Sequence, residues 1–289
     1  MGIGILYESE EWSTYALEKD IKDLGVPVKL ICMEKNVEAE DFRGCELVLN
    51  RVFASAGFRG HQKSLEQTPQ VLEQLKKLNI PVINPPAAHF YETDKALAAD
   101  VLKKKRVSVP EIYGILEKNR GNCPGISYPC ILKPNCGGRT TYTYILRDEE
   151  DLQKAYGEIP DIPMLAEEYI EPVRGYLTRI EVIGGECRLI VKRSVAENGL
   201  SAYHLGSRYQ LYPECDEKLK ETALYAMEIL EIEAGSMDVI ETDHGFFIID
   251  VNAVSNASQD NTEMFQFDLM LETAKYAVKK YKKKERMFI

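Results

Sequence analysis

Asp238, Asp250 and Asn252 are the residues whose types and spacing could most directly do chemistry. Two runs of β-branched and aromatic residues flank the cluster Asp243-His244-Gly245, which predicts an antiparallel hairpin. A three-residue turn there places Asp238 opposite Asp250, and the period-2 alternation of strand side chains puts Asn252 on the same face. Two carboxylates and a carboxamide would then converge, and Mg²⁺ accepts such hard oxygen ligands when it also bridges substrate phosphates. The alternative is an ordinary surface hairpin that carries these acidic residues on its solvent-exposed face.

Lys133 lies in an apolar run, PCILKP, directly before the loop PNCGGRTTY. Gly137 and Gly138 allow positive φ, and the loop offers amide, hydroxyl and guanidinium donors. Such a loop can fold over phosphates, to which Lys133 would supply a point charge. An ordinary hairpin loop is the alternative. The sequence contains no GxxxxGK[ST] and no HRD or DFG signal, which excludes a P-loop enzyme and a protein kinase.

Other charged residues lie where a packed apolar sheet would not carry them. Arg179 and Glu181 share one face of a predicted strand, and Lys192-Arg193 end the next. Glu167-Glu168 is an acidic pair inside an apolar strand, either a strand edge or a hinge whose backbone reads an adenine. Lys95 begins a predicted helix and could equally be solvated. Several cations and carboxylates on one sheet indicate a charged ligand.

The elements that must position these residues begin with a small parallel α/β domain at residues 1–84. Short apolar strands alternate there with helical stretches, and Asn84-Pro85-Pro86 ends the pattern. The predicted strands are 2–7, 28–32, 45–50 and 81–84, and the predicted helices are 13–24 and 69–78.

Two further domains are predicted at residues 85–172 and 173–289. The first would contain helix 93–105, strands 129–134 and 142–146, helix 148–156 and strand 164–170. The second would contain strands 177–183 and 188–194, helix 216–230, the acidic hairpin and helix 267–281. The whole chain is therefore predicted to be an α/β protein with α+β lobes.

Composition limits the classes of protein that fit. A chain of 289 residues with 45% hydrophobic residues can bury a substantial core. A net charge of −10 argues against nucleic acid as a partner, and no apolar run is long enough to span a membrane. Seven scattered cysteines without a CxxC pair fit free thiols in a reducing compartment. A soluble, cytoplasmic protein is expected.

The order of these motifs resembles the ATP-grasp superfamily, and within it the RimK/LysX-like carboxylate–amine ligases. The resemblance extends from the N-terminal α/β domain, which would be the pre-ATP-grasp domain, to Asn252. It rests on a lysine, a second lysine before a Gly-rich loop, the strand EEYI, and paired strands carrying Asp and Asp-x-Asn. Asp-x-Asn stands where most members have Glu-x-Asn, and the shorter carboxylate can still ligate a metal.

The resemblance implies roles for individual residues and names the cofactors, ATP and Mg²⁺, with Mn²⁺ as a substitute metal. Lys95, Lys133 and Lys192 would contact the nucleotide, and the loop of Gly137 and Gly138 would close over the triphosphate. Adenine would be read by the segment Glu167, Glu168, Tyr169 and Ile170. Asp238, Asp250 and Asn252 would hold the metal, while Arg179, Lys133 and Arg193 would act in catalysis.

The chain departs from the family pattern at two places. The aspartate that would bind the ribose falls on Leu177, so Arg174 or a water would have to replace it. The family's Ser-Asn-x-x-x-Gly segment appears as residues 201–206 without its asparagine. Arg51 and Arg208 are candidates for a clamp on a substrate carboxylate, with surface ion pairs as the alternative.

The resemblance implies an ATP-dependent ligase that joins a small-molecule acid to an amine, such as an amino acid or peptide, through an acyl phosphate. Addition of glutamate to a peptide, protein or metabolite would be typical, and a homo-oligomer is expected. Two other classes stay open. One is a kinase of the same fold that phosphorylates without needing an amine, and the other is a non-catalytic nucleotide-binding protein.

Overall fold

The computed structural model describes residues 1–121 and 125–285, without the side chains of residues 284 and 285, and contains three β-sheets with flanking helices. This is the mixed α/β architecture that the sequence predicts. Within the described ranges no helix is both long and apolar enough to cross a membrane. The six cysteines described there are free thiols.

The N-terminal sheet is parallel, with the strand order β2-β1-β3-β4. Its strands are β1 (Gly2–Tyr7), β2 (Val28–Cys32), β3 (Cys45–Arg51) and β4 (Val82–Ile83). Helix α1 (Trp12–Asp23) packs on one face and α2 (Gln62–Lys77) on the other. Burial on both faces explains the continuous apolar runs of these strands.

Helix α2 begins seven residues earlier than the sequence predicts, because Pro69 lies inside it rather than at its start. Its buried face, Ser64, Thr68, Val71, Leu72 and Leu75, runs through the proline without interruption. Packing against the sheet therefore outweighs the one helical hydrogen bond that proline cannot make.

The central sheet is antiparallel, with the order β5-β8-β6-β7. Helices α3 (Pro86–Thr93) and α4 (Lys95–Lys104) precede it, and its elements are β5 (Ile112–Leu116), β6 (Cys130–Pro134), β7 (Tyr144–Leu146), α5 (Glu149–Glu158) and β8 (Met164–Glu168). The sequence predicted one helix at 93–105. The structure has two because Asp94 is extended, and its Oδ1 accepts a hydrogen bond from the Leu97 N–H (2.9 Å) to cap α4.

The C-terminal sheet is antiparallel, with the order β11-β10-β9-β12-β13. Its strands are β9 (Tyr176–Ile183), β10 (Glu186–Ser194), β11 (Tyr209–Leu211), β12 (Ala234–Thr242) and β13 (Gly245–Asn252), and its helices are α6 (Glu217–Ile229), α7 (Gln259–Phe265) and α8 (Leu269–Glu285). The sequence prediction lacked β5, β11 and α7, which are too short for a clear period.

Two features join the N-terminal sheet to elements of the C-terminal part of the chain. The buried Asn84 side chain donates to the Ala234 carbonyl (2.7 Å) and accepts from the Glu233 and Ala234 N–H groups (2.7 and 2.9 Å). Helix α8 packs on α1 and shares a core with β1. Helix α8 thus packs with α1 and the N-terminal sheet, while the division of the chain at residues 84 and 172 stays a prediction.

Candidate functional site

Most of the candidate residues line one cleft between the central and C-terminal sheets. The cleft encloses about 830 Å³ of empty space, part of it open to solvent. The candidate residues that line it are Lys95, Lys133, Gly137, Gly138, Glu167, Glu168, Tyr169, Ile170, Arg193, Asp238 and Asp250. Arg179, Lys192 and Asn252 are not part of this lining.

The acidic hairpin places Asp238 opposite Asp250, as the sequence predicts, but its turn is shorter than predicted and one strand contains a bulge. The turn has two residues, since Thr242 pairs with Gly245, and this shifts the expected register by one. A β-bulge at Ile249 shifts it back, so Asp238 does pair with Asp250. Ser236 pairs with Asn252, which places Asn252 on the same face as the two carboxylates.

Cations already surround both carboxylates of the hairpin. Asp238 is buried and accepts from Arg179 Nη1 (3.3 Å) and Arg193 Nη2 (2.9 Å). Burial opposes its ionisation, but the two guanidinium groups hold its pKa below the usual range. Asp250 pairs with Lys95, and burial opposes the charge on this lysine while Asp250 raises its pKa. Asp238 is thus held in the ionised form that metal ligation needs, and Asp250 lies beside a cationic lysine.

The oxygen donors of this face fit a hard divalent cation. They comprise the carboxylates of Asp238 and Asp250 and the carboxamide of Asn252, the ligand types that Mg²⁺ takes from proteins. A cation there would have to displace Lys95 from Asp250. No three His, Cys, Asp or Glu side chains come together as a metal cluster in residues 1–121 and 125–285, so the amide is needed to complete the set.

Lys133 links the two sheets across the cleft. Its Nζ lies 2.6 Å from Glu167 Oε1 and donates to the Ile249 carbonyl at 2.9 Å. Ile249 is the extra residue of the bulge, so its carbonyl is turned out of the strand ladder toward the lysine. Burial raises the pKa of Glu167 despite the adjacent lysine. The bulge therefore both corrects the register and positions Lys133.

The Gly-rich loop after β6 lies against residues that flank strands of the N-terminal sheet. Gly137 has φ of +155°, and a Cβ there would come within 2.4 Å of Phe58 Cε2. The Tyr142 and Phe58 rings are 5.8 Å apart, and Arg139 Nη2 lies 3.5 Å from Glu11 Oε1. The loop thus lines the cleft and contacts Phe58, which follows β3, and Glu11, which precedes α1.

Some backbone N–H groups at the end of β8 and just after it already donate hydrogen bonds within the protein. The Glu168 N–H donates to the Glu111 carbonyl (2.8 Å), and its side chain accepts from the Glu111 N–H (3.1 Å). The Tyr169 N–H is directed to the Pro129 carbonyl at 3.4 Å. A ring bound at this segment would therefore not use the N–H of Glu168.

Lys192 and Arg193 point to opposite faces of β10, as neighbours in a strand must. Arg193 lines the cleft, whereas Lys192 Nζ lies 3.8 Å from the Tyr212 ring centre and 4.8 Å from that of Tyr176. The structure thus does not bring Lys192 into the lining of the cleft, and its contact with the nucleotide stays a prediction. Arg179 lies beneath the cleft surface, where it supports Asp238 and also donates to Glu181 and Ser236.

Three arginines proposed for substrate or ribose are engaged elsewhere or exposed. Arg51 is buried and donates to Ser13 Oγ (2.9 Å) and the Ser255 carbonyl (3.3 Å). Arg174 pairs with Glu241 at 2.8 Å on the sheet face that Lys192 occupies. Arg208 is exposed. The structure therefore does not assemble the arginine clamp that the sequence suggested.

A buried acidic cluster beside the cleft had no signal in the sequence, because its members come from distant segments. Glu8 and Glu11 pair with Arg59, and Glu92 lies near Lys95 with its Oε2 lacking a hydrogen-bond partner. Burial raises the pKa of Glu8 to about 7 and that of Glu92 to about 8. These carboxyls hold protons that exposed glutamates would release.

Glu92→Gln is expected to flatten the dependence of stability on pH. The raised pKa means that the folded protein keeps a proton that the unfolded chain, with a pKa near 4.5, gives up. Stability from this group is complete below about pH 4.5 and is lost as the pH rises through about 8. Thermal unfolding at pH 6 and pH 9 should show a smaller difference in Glu92→Gln than in the parent. An equal difference in both proteins would contradict the assignment, and Glu73→Gln on exposed α2 surface is the control.

The fold and the cleft define an ATP-grasp protein. A family model described as a RimK-like ATP-grasp domain matches residues 92–276, and the chain belongs to this family. The chain is 25% identical over 276 residues to a probable alpha-L-glutamate ligase of Aliivibrio salmonicida, covering 88% of this chain and 87% of that protein. It is 27% identical over 190 residues to one of Mannheimia succiniciproducens, covering 63% of this chain and 62% of that protein's length.

Solved structures show the same fold over nearly the whole chain. A RimK-domain ATP-grasp protein from Sphaerobacter thermophilus has a TM-score of 0.72 at 16% identity, covering 96% of this chain and 99% of that one. D-alanine–D-alanine ligase from Bacillus anthracis has a TM-score of 0.71 at 15% identity, covering 98% and 99%. At such low identity these likenesses establish the fold alone.

Proposed function

We propose that this protein is an ATP-dependent carboxylate–amine ligase that forms an amide or peptide bond and releases ADP and phosphate. The observation that carries the proposal is the convergence of Lys95, Lys133, the Gly-rich loop and the Asp238–Asp250 pair on one cleft. Relatives named alpha-L-glutamate ligase, and a D-alanine–D-alanine ligase of Pediococcus pentosaceus that is 24% identical over 173 residues, support it.

Different residues of the cleft would bind the metal ion and the phosphates of ATP. Asp238, Asp250 and Asn252 would hold Mg²⁺, or Mn²⁺ in its place, and the metal would neutralise charge on the phosphates. Lys95 and Lys133 would bind phosphate oxygens directly. A neighbour of the same fold, the ligase PsnB, was solved with a minimal precursor, Mg and ADP (TM-score 0.66, 14% identity, 96% of each chain).

The reaction would proceed in two transfers. A substrate carboxylate oxygen attacks the γ-phosphorus in line, and ADP leaves with the electrons of the broken bond. An amine then attacks the acyl carbon, phosphate departs, and the amine loses its extra proton. Arg193 and Lys133 would offset negative charge on the transferred group, and Arg179 would hold Asp238 in place. The closed Gly-rich loop would keep water from the acyl phosphate.

Gly137→Ala is expected to weaken ATP binding about tenfold with little loss of folding stability. The added methyl group would overlap Phe58, and φ of +155° is strained for alanine, so the loop must leave its resting place. Isothermal calorimetry with a nonhydrolysable ATP analogue would measure the effect. Gly157→Ala is the matched control because nothing lies within 4 Å of its new Cβ. Unchanged affinity in Gly137→Ala would show that the loop does not cover the nucleotide.

The acid would be a small molecule, and the amine an amino acid such as glutamate or the end of a peptide. These substrates, cytoplasmic location and assembly into a homo-oligomer stay predictions. A kinase with the same fold is the second candidate, and it would release ADP without an amine and leave a stable phosphorylated product.

An ADP-release screen of acids crossed with amines, run with Mg²⁺, tests the proposal. The ligase should require one acid and one amine together, and mass spectrometry should show their condensation product. Turnover with an acid or alcohol alone, giving a stable phosphate ester or anhydride, would favour the kinase. Tight ATP binding without turnover on any pair would favour a non-catalytic protein.

A further inference from the structure

The cleft has an apolar wall between its charged end and the segment after β8. Leu177 and Ile240 are buried there and form a cluster with Ile170, to which Phe247 and Ile249 add partly buried surface. Leu177, Ile170, Ile240 and Ile249 all line the cleft. The wall therefore faces whatever the cleft binds.

Strand geometry locates this wall relative to the charged end. Asp238 pairs with Arg179, and Ile240 and Leu177 each follow two residues farther along the same pair of strands. They share the face of Asp238 and lie about 7 Å beyond it. Ile170, which belongs to the same apolar cluster, is part of the segment proposed to read the base. A nucleotide with its phosphates at Asp238 and Asp250 and its base at Ile170 would therefore run along Leu177 and Ile240, and its sugar would face these side chains.

The carboxylates that line the cleft already have partners. Glu167 pairs with Lys133, Asp250 with Lys95, and Asp238 with Arg179 and Arg193. Glu168 accepts from the Glu111 N–H at 3.1 Å. Ser201 Oγ is likewise engaged, since it accepts from Arg193 Nε at 2.9 Å. The wall beside the sugar thus offers methyl groups, and the carboxylates of the cleft are paired with cations or a backbone N–H in this structure.

We propose that this protein does not read the hydroxyl groups of the nucleotide sugar, and that Leu177 is the residue that determines this. The inference rests on the proposed function, because it takes ATP as the ligand of the cleft. A site that hydrogen-bonds a hydroxyl discriminates strongly against the analogue that lacks it, whereas an apolar wall discriminates little. ATP, 2′-deoxyATP and 3′-deoxyATP should therefore bind and turn over nearly alike.

Calorimetry with the three nucleotides on the full-length protein tests the proposal, with release of ADP or the matching deoxy-ADP as a second readout once substrates are known. The three dissociation constants should agree within about threefold in the parent. Leu177→Asp should create a preference of about tenfold or more for ATP, because a carboxylate would now face the hydroxyls. Leu177→Met, which keeps the wall apolar, should show no preference.

Each outcome bears on a different claim. A parent that binds either deoxynucleotide more than about tenfold more weakly than ATP would overturn this inference and leave the ligase proposal standing. Failure to bind any of the three would overturn the proposed function and this inference with it. If Leu177→Asp does not fold, the ratios in the parent and in Leu177→Met still decide the question.

Discussion

Replacing Asp250 with asparagine is expected to lower kcat at least about a hundredfold while the protein stays folded. Asp250 is the one hairpin carboxylate that lines the cleft and has a single lysine as its partner. Asparagine keeps the shape of the side chain and an oxygen for Lys95, but it removes the charge that would hold a divalent cation. The loss should appear in kcat, since a cation held there would stabilise charge that is redistributed during phosphoryl transfer.

Steady-state ADP release and thermal unfolding, measured on the same preparations, would check this result. Asp243→Asn is the matched control, because Asp243 lies exposed in the turn of the same hairpin. Raising the Mg²⁺ concentration should partly rescue Asp250→Asn and leave the control unchanged. Equal activity in Asp250→Asn and the parent would remove the metal assignment.

Lys133→Met is expected to abolish turnover and also to destabilise the fold by about 3 kcal/mol. Lys133 and Glu167 form a buried pair, with 12% and 6% of their side chains exposed. Without the lysine, Glu167 becomes a buried carboxylate with no cation on it, and the Ile249 carbonyl loses its donor. The two effects, on catalysis and on stability, have separate causes.

The double variant Lys133→Met/Glu167→Gln separates these causes. Removing the charge on Glu167 should restore most of the free energy of unfolding, measured by urea denaturation, whereas turnover should stay lost because the phosphates still lack their lysine. Lys29→Met, an exposed lysine on β2, controls for loss of a strand lysine. If the double variant recovered activity together with stability, Lys133 would be a structural residue only.

The acidic hairpin shows how far the sequence could go. Alternation with period 2 predicted the shared face of Asp238, Asp250 and Asn252, and the structure has that face. The predicted register was wrong at two places. The turn has two residues instead of three, and the bulge at Ile249 was not predicted; each shifts the register by one residue, so the two errors cancel. The Ile249 carbonyl of the bulge accepts a hydrogen bond from Lys133 Nζ across the cleft, and no local pattern encodes such a contact.

Other features required the tertiary structure. Period 2 also predicts that Lys192 and Arg193 diverge, but only the positions of Tyr176 and Tyr212 reveal which of them faces the cleft. The buried acidic cluster with Glu8, Arg59 and Glu92 brings together three segments that are far apart in the chain. Pro69 gave a misleading local signal because burial on α2 overrides a helix-breaking residue.

The packing of α8 on α1 has a consequence for synthesis of the protein. Ile3, Ile5, Leu17 and Ile21 share their core with Leu269, Met270 and Ala274 of the last helix. While the ribosome is still translating, these early residues have no such partner and expose part of their apolar surface. We therefore expect β1 and α1 to be synthesised early but to complete their shared core only after α8 has left the exit tunnel.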